Sequence, residues 1–294
     1  MRIVAVLSVK DEIELIVPAI AHLRAIGVDR IIACDMGSTD GTWEVLERHR
    51  SDADFWVTRL SDQTPDHFET WSRVNTALVR SARADWAIFL DADEFWLPAS
   101  GNLKDCAALV EADFLHVKRF NVPAGAQGAM FPAPAVPAQY EKALLLQQPA
   151  DGGAPTGPQM PWIMARPEDK LMVRPELLAA IGLGAHDVIP RAGVALRRAV
   201  PKDLLVAHLP FTTKARFSRK IDNIRKVFAT HDKAFGEAVA FHWRRWLALQ
   251  EVGKLDAELD ASLFNAASLK RLRAEGRLTD AAAWFALGRG DDAA

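Results

Sequence analysis

Asp85-Trp86-Ala87-Ile88-Phe89-Leu90-Asp91-Ala92-Asp93-Glu94-Phe95 is an apolar run of strand length that ends in three carboxylates within four residues, after which apolar residues return. Carboxylates are costly to desolvate without partners, so a cluster of them at the end of a core strand calls for cations. Asp91 and Asp93 stand two apart and can be turned to one side of the strand end. Hard oxygen ligands of that kind suit Mg²⁺ or Mn²⁺. A solvated turn or a helix cap is the plainer use of an isolated Asp-x-Asp, and the neighbouring segments decide between the two.

Upstream of this run, strand and helix patterns alternate. Ile3 to Val9 is short, β-branched and bounded by polar residues, as a buried strand is. Apolar residues at 13, 16, 17, 20, 23 and 26 have helical spacing and stop before Gly27. Pro18 interrupts that helix, predicting a kink there or a helix that begins with Pro18 in its first turn. Arg30 to Asp35 predicts a second strand, Thr42 to Arg48 a second helix after the capping residues Ser38, Thr39 and Asp40, and Phe55 to Leu60 a third strand. Pro65 opens a third helix, with apolar positions at 68, 71, 74, 78, 79 and 82, that leads into Trp86.

Four alternations with short connections predict an α/β fold: a mostly parallel, doubly wound sheet flanked by helices. Such sheets bind ligands beyond the carboxyl ends of their strands, near the point where strand order reverses. Ser8, Lys10 and Asp11, then Asp35, then Asp91 and Asp93 all fall at that edge.

Downstream, a strand is expected around Phe114 to Val117. The stretch 122–161 holds half of the chain's prolines and few charges, which predicts a lid, an acceptor-facing loop or a disordered segment. Lys170 to Arg174 and Leu204 to Leu209 predict further strands, and Gly184-Ala185-His186-Asp187 a polar turn. From Thr212 or Thr213 onward the chain is helix-rich, so residues 1–211 form the expected main domain and 212–294 a helical extension. Phe235, Val239, Trp243, Trp246 and Leu247 form one stripe, read as helical core. Lys214, Arg216, Arg219, Lys220, Arg225 and Lys226 give the first of these helices a basic face, either solvated or laid on anionic lipid. The last four residues are expected to fray.

The 294 residues are half hydrophobic and one quarter charged, with a formal net charge of -2, which gives no overall attraction to nucleic acid. Two cysteines without Cys-x-x-Cys spacing predict no disulfide framework and a cytoplasmic setting. The opening apolar run stops at Ser8, too short for a signal peptide, and no stretch reaches the length of a membrane span.

Three motifs taken together resemble the family 2 glycosyltransferases: Ser8-Val9-Lys10-Asp11-Glu12, Asp35-Met36-Gly37-Ser38-Thr39-Asp40-Gly41-Thr42, and Asp91-Ala92-Asp93-Glu94-Phe95. The likeness is to the branch that writes Val-Lys-Asn-Glu and Asp-x-Asp-Glu-Phe, and it covers about residues 1–120. Lys170 to Pro175, Gly184 to Asp187, and Ala207-His208-Leu209-Pro210 are similar to later motifs of that branch. Asp11 stands where the branch usually has Asn, and Met36 where a polar residue is common, which opens the question of nucleotide selectivity.

The resemblance implies a GT-A (Rossmann-like) fold and transfer of a sugar from a nucleoside diphosphate donor, a UDP-sugar first among them, to a glycan or lipid-linked acceptor. It implies that Asp35 meets the base or ribose, that Asp91 lies near ribose and metal, and that Asp93 coordinates the ion. It also implies that Arg73 faces the diphosphate. Ser8, Lys10 and Asp11 complete the expected donor site. His186 is a candidate further metal ligand, with His208 competing for that role. Asp187 and Glu94 are candidates for the base that an inverting reaction requires. Two other readings stay open: a phosphatase of the haloacid dehalogenase type, which also uses Asp-x-Asp, and a nucleotide-sugar or glycan binder without turnover.

Overall fold

The computed structural model describes residues 1–60, 67–131, 141–147, 162–165, 167–231 and 241–290. Pro65, Phe235, Val239, the last four residues and most of the proline-rich stretch lie outside them, as do the expectations attached to them. The alternating pattern folds as β1 (Ile3–Val9), α1 (Ile16–Ala25), β2 (Arg30–Asp35), α2 (Thr42–Arg48), β3 (Phe55–Arg59), α3 (His67–Ser81) and β4 (Trp86–Asp91). Helix α1 begins at Ile16, so Pro18 falls in its first turn, where a missing N–H costs no hydrogen bond.

Strands β3, β2, β1 and β4 lie side by side and parallel in that order. The order reverses between β1 and β4, which makes that pair the switch point. Beyond β4 the sheet continues as Lys170–Val173, then β6 (Phe114–Asn121), Leu204–His208 and β5 (Glu94–Pro98). The strand Lys170–Val173 is antiparallel to both of its neighbours, and β5 is antiparallel to Leu204–His208. The sheet is therefore mixed rather than simply parallel.

Alternation along each strand sorts the core into two faces. Ile3, Ala5, Leu7, Ile31, Ala33, Ile88 and Leu90 pack toward α1 and α2, against Ile16, Ile20, Leu23 and Leu46. Val4, Val6, Ile32, Cys34, Ala87 and Phe89 pack toward α3, against Trp71 and Val79. Both cysteines are buried and unbridged.

The C-terminal region consists of α4 (Lys214–His231), α5 (Phe241–Glu251), α6 (Leu255–Ala261), α7 (Ala266–Ala274) and α8 (Ala281–Gly290). Phe217, Ile221, Ile224, Trp246, Leu259 and Leu272 form its core together with Ala124, Leu146 and Ile163. The apolar stripe expected of Trp243, Trp246 and Leu247 is thus helical core. Short strands Leu144–Leu146 and Leu278–Asp280 pair antiparallel, so part of the proline-rich stretch is stitched to the C-terminal helices. No helix among the described residues is long and apolar enough to cross a membrane.

Candidate active site

The carboxyl edge of the sheet is built in register. Ser8 on β1 lies beside Asp91 on β4, Val9 beside Asp35 on β2, and Asp35 beside Arg59 on β3. Strand alternation splits these residues between the two faces. Ser8 and Asp91 fall on the α3 side, with the Ser8 hydroxyl accepting a 2.8 Å hydrogen bond from Trp71 Nε1. Asp35 falls on the α1–α2 side.

Asp91 is the open acid of the edge. Its side chain is 57% exposed, and it meets Lys170 Nζ at 3.3 Å. Lys170 is fully buried, with Nζ also 3.0 Å from Glu94 Oε2 and donating to the Gly184 carbonyl at 3.2 Å. Burial works against the ammonium, but Asp91 and Glu94 hold it charged and raise its pKa.

Glu94, one of the two candidate bases, lies inside the fold. Its carboxylate is fully buried, pairs with Arg119 and Lys170, and accepts the Asp91 amide at 3.0 Å. Burial pushes its pKa up, yet Lys170 and Arg119 outweigh that and hold it at about 2. A carboxylate that releases its proton so readily and is closed off from solvent is a poor acceptor for an attacking hydroxyl's proton. Asp187 differs: it is exposed and its Oδ1 caps the Val188 amide at 2.7 Å.

Asp93 does not share a face with Asp91. It lies in the two-residue turn between β4 and β5, buried, with Oδ2 2.7 Å from Arg216 Nη2, 3.0 Å from Lys220 Nζ and 3.7 Å from His208 Nε2. Burial opposes its charge, but Lys220, His208 and Arg216 together hold its pKa well below the carboxylate range. Arg216 also grips Glu12 through Nε at 2.6 Å and Nη2 at 2.8 Å.

The metal centre expected of Asp91, Asp93 and His186 is therefore not assembled as a unit. Among the described residues no group of three or more His, Cys, Asp or Glu side chains is placed to hold a metal. His186 retains the chemistry of a ligand: Nδ1 lies 2.9 Å from the Asp169 carbonyl and so carries the proton, which leaves Nε2 with its lone pair, 3.4 Å from Glu168 Oε2. Burial, with Lys170 and Arg119 nearby, lowers its pKa. Asp91 is left open at the edge, and Asp93 is paired inside the fold.

The remaining donor-site candidates divide. Asp35 is fully buried and accepts from the Gly37 and Ser38 amides at 3.0 and 3.1 Å while pairing with Arg59 at 3.0 Å, so it organises the loop after β2. Lys10 Nζ donates to the Met36 and Gly37 carbonyls at 2.9 and 2.7 Å. Asp11 has a left-handed φ of 55° and accepts from the Thr39 amide at 2.6 Å and from Asn223 of α4 at 2.8 Å. These three buttress the β1 and β2 loops. Arg73 is exposed on α3, the side on which Ser8 and Asp91 lie.

The basic face of α4 is largely paired with carboxylates. Five of its six cations meet carboxylates: Lys214 with Asp256, Arg216 with Glu12 and Asp93, Arg219 with Glu14, Lys220 with Asp93, and Arg225 with Glu251.

Sequence reasoning missed Arg119, Lys170, Glu12, Arg216 and Lys220 as partners of the motif acids. One signal was present. Lys170 opens an apolar strand, and a lysine so placed is rarely buried unless an acid is buried with it.

Residues 4–118 match the family described as glycosyl transferase family 2. No curated protein matches the chain. Among solved structures, Staphylococcus aureus TarS 1-349 is 15% identical at a TM-score of 0.41, covering 89% of this chain and 81% of its own. TarS 1-349 in complex with UDP-GlcNAc is 14% identical at 0.38, over 89% and 82%. Glucosyl-3-phosphoglycerate synthase from Mycobacterium tuberculosis, in complex with Mn²⁺, UDP and glucosyl-3-phosphoglycerate, is 17% identical at 0.31, over 61% and 59%. Overlap of that order is partial. Residues 4–118 are thus similar to glycosyl transferase family 2, and they lie within an α/β, Rossmann-like sheet flanked by helices.

Proposed function

We propose that the chain transfers a sugar from a nucleoside diphosphate donor to a hydroxyl of a glycan or glycolipid, with the donor diphosphate at the Asp91 end of the edge. The observation that carries this reading is the exposed Asp91 carboxylate, in register with Ser8 at the switch point. Breaking the bond from the anomeric carbon to the diphosphate builds negative charge on the leaving group, and fixed positive charge nearby lowers that barrier.

Lys170 supports the Asp91 carboxylate from below. Ser8, held by Trp71, presents a hydroxyl beside it, and Arg73 on the same side adds a cation for the diphosphate. A divalent ion, Mn²⁺ or Mg²⁺, would take Asp91 as its protein carboxylate, with His186 Nε2 the second candidate ligand, and would supply Lewis-acid stabilisation of the leaving group. Asp187 is the exposed carboxylate suited to remove the proton of the attacking hydroxyl, as an inverting transfer requires. UDP-sugars are the first donors to test, and assembly of a surface polysaccharide or glycolipid in the cytoplasm is the setting this chemistry suits.

A thermal-shift panel of UDP, GDP, CDP and ADP, with and without Mn²⁺, tests the reading on wild type and Asp91→Ala. At least one nucleotide should raise the wild-type melting temperature, and Asp91→Ala should lose that rise. No shift with any nucleotide, or an equal shift in Asp91→Ala, would count against it.

A further inference from the structure

The two aspartates of the Asp91-Ala92-Asp93 motif have opposite surroundings, and the reason lies more than a hundred residues away. All five N–H groups of the Arg216 guanidinium have acceptors. Nε and Nη2 reach the two oxygens of Glu12 at 2.6 and 2.8 Å, Nη2 reaches Asp93 at 2.7 Å, and Nη1 reaches the Leu209 and Pro210 carbonyls at 3.3 and 3.4 Å. Arg216 is 1% exposed, Asp93 2%.

Charge within the cluster balances. Glu12 and Asp93 bring two negative charges, Arg216 and Lys220 two positive ones. His208 lies against the same acid, with Nε2 3.7 Å from Asp93 Oδ2. Its tautomer follows from its partner. Asn121 donates both amide hydrogens, to the Ile163 and Ala165 carbonyls, so its Oδ1 must accept from His208 Nδ1 at 2.7 Å. A divalent ion taking Asp93 Oδ2 would have to displace Arg216, leaving the partly buried Glu12 without its cation, a large cost.

We propose that Asp93 is withheld from metal and donor, and serves as the anchor through which α4 closes the α1 side of the sheet edge, with Arg216 as its built-in counter-ion. The helix carries the rest of the lock on the same face: Arg219 reaches Glu14 at 2.9 Å, Lys220 reaches Asp93, and Asn223 reaches Asp11. Arg216, Lys220 and Asn223 are spaced four and three residues apart, so they face one way. Helix α4 thereby fixes the turn that follows Asp91, and the motif divides its labour between one open acid and one locked acid.

Two measurements test this, and only the second rests on the proposed donor site. In a double-mutant cycle of Asp93→Ala and Arg216→Met read by thermal unfolding, the double variant should lose less stability than the two single losses added, since it removes an anion and a cation together. Additive losses would overturn the lock. In the second, Mn²⁺ is titrated with UDP present and followed by electron paramagnetic resonance. Asp93→Asn, which keeps the side chain's shape, should bind close to wild type, while Asp91→Asn should weaken about tenfold or more. Equal weakening in both variants would overturn the proposal. If wild type binds no Mn²⁺ with UDP, the donor-site reading fails, and the cycle still decides the role of Asp93.

Discussion

The carboxyl edge of the sheet has a closed side and an open side, built from the same residue types. On the closed side, Glu12, Glu14 and Asp93 each meet a cation of α4. On the open side, Asp91 is more than half exposed, Glu168 is 76% exposed and Asp187 is free to solvent apart from one amide. The difference shows that a carboxylate's role is set by which distant element reaches it. Acids already paired within the fold hold structure, and acids left open can meet substrate.

The largest contrast is expected in stability. Arg216→Met leaves the buried Asp93 and the partly buried Glu12 with Lys220 as their nearby cation, and should cost about 3–5 kcal/mol in urea unfolding. Lys118→Met, which removes the partly exposed pair with Asp169, should cost about 1 kcal/mol or less. Similar costs for the two would erase the distinction between the sides.

Glu94 sharpens the comparison through pH. Its folded pKa of about 2 lies below the ordinary 4.5, so its contribution is fully present above pH 4.5 and lost as pH falls toward 2. The shift corresponds to about 3 kcal/mol in order of magnitude. Wild type should lose stability steeply across that window, and Glu94→Gln should show a shallower slope. Parallel slopes in chemical denaturation would contradict the assigned pairing with Lys170 and Arg119.

Asp35 occupies an intermediate case, buried but bonded mostly to backbone. Asp35→Asn should cost about 1–3 kcal/mol and speed hydrogen exchange at the Gly37 and Ser38 amides, which lose a charged acceptor. Unchanged exchange there would return Asp35 to the list of donor contacts. The smallest stability effect belongs to the open side: Asp91→Ala should cost about 1 kcal/mol or less, since Glu94 still pairs with Lys170. A large loss on thermal unfolding would mean that Asp91, too, is structural.

Much of this layout was legible in the sequence. The strands β1 to β4, the helices between them and the placement of Ser8, Asp35 and Asp91 at one edge follow from local periodicity and short connections. Strand β5 was not legible, because Glu94 to Pro98 follows a two-residue turn with no loop signal and no alternation of polar and apolar residues. Its burial on both sides comes from Leu204–His208, a partner distant in sequence. The side to which Asp93 turns was hidden for the same reason. Arg216 and Lys220 sit beside the apolar stripe of Phe217, Ile221 and Ile224, and only tertiary packing brings that flank against β4. The basic face read as solvated or lipid-facing was thus the missing counter-charge of the motif.

The most direct test of the central claim is release of nucleoside diphosphate from a panel of nucleotide-sugars, compared between wild type and Asp91→Ala. The account predicts slow release by wild type from at least one donor, faster when a suitable acceptor is present, and loss of release in Asp91→Ala with folding intact. Undiminished release by Asp91→Ala, or none by wild type from any donor, would contradict it.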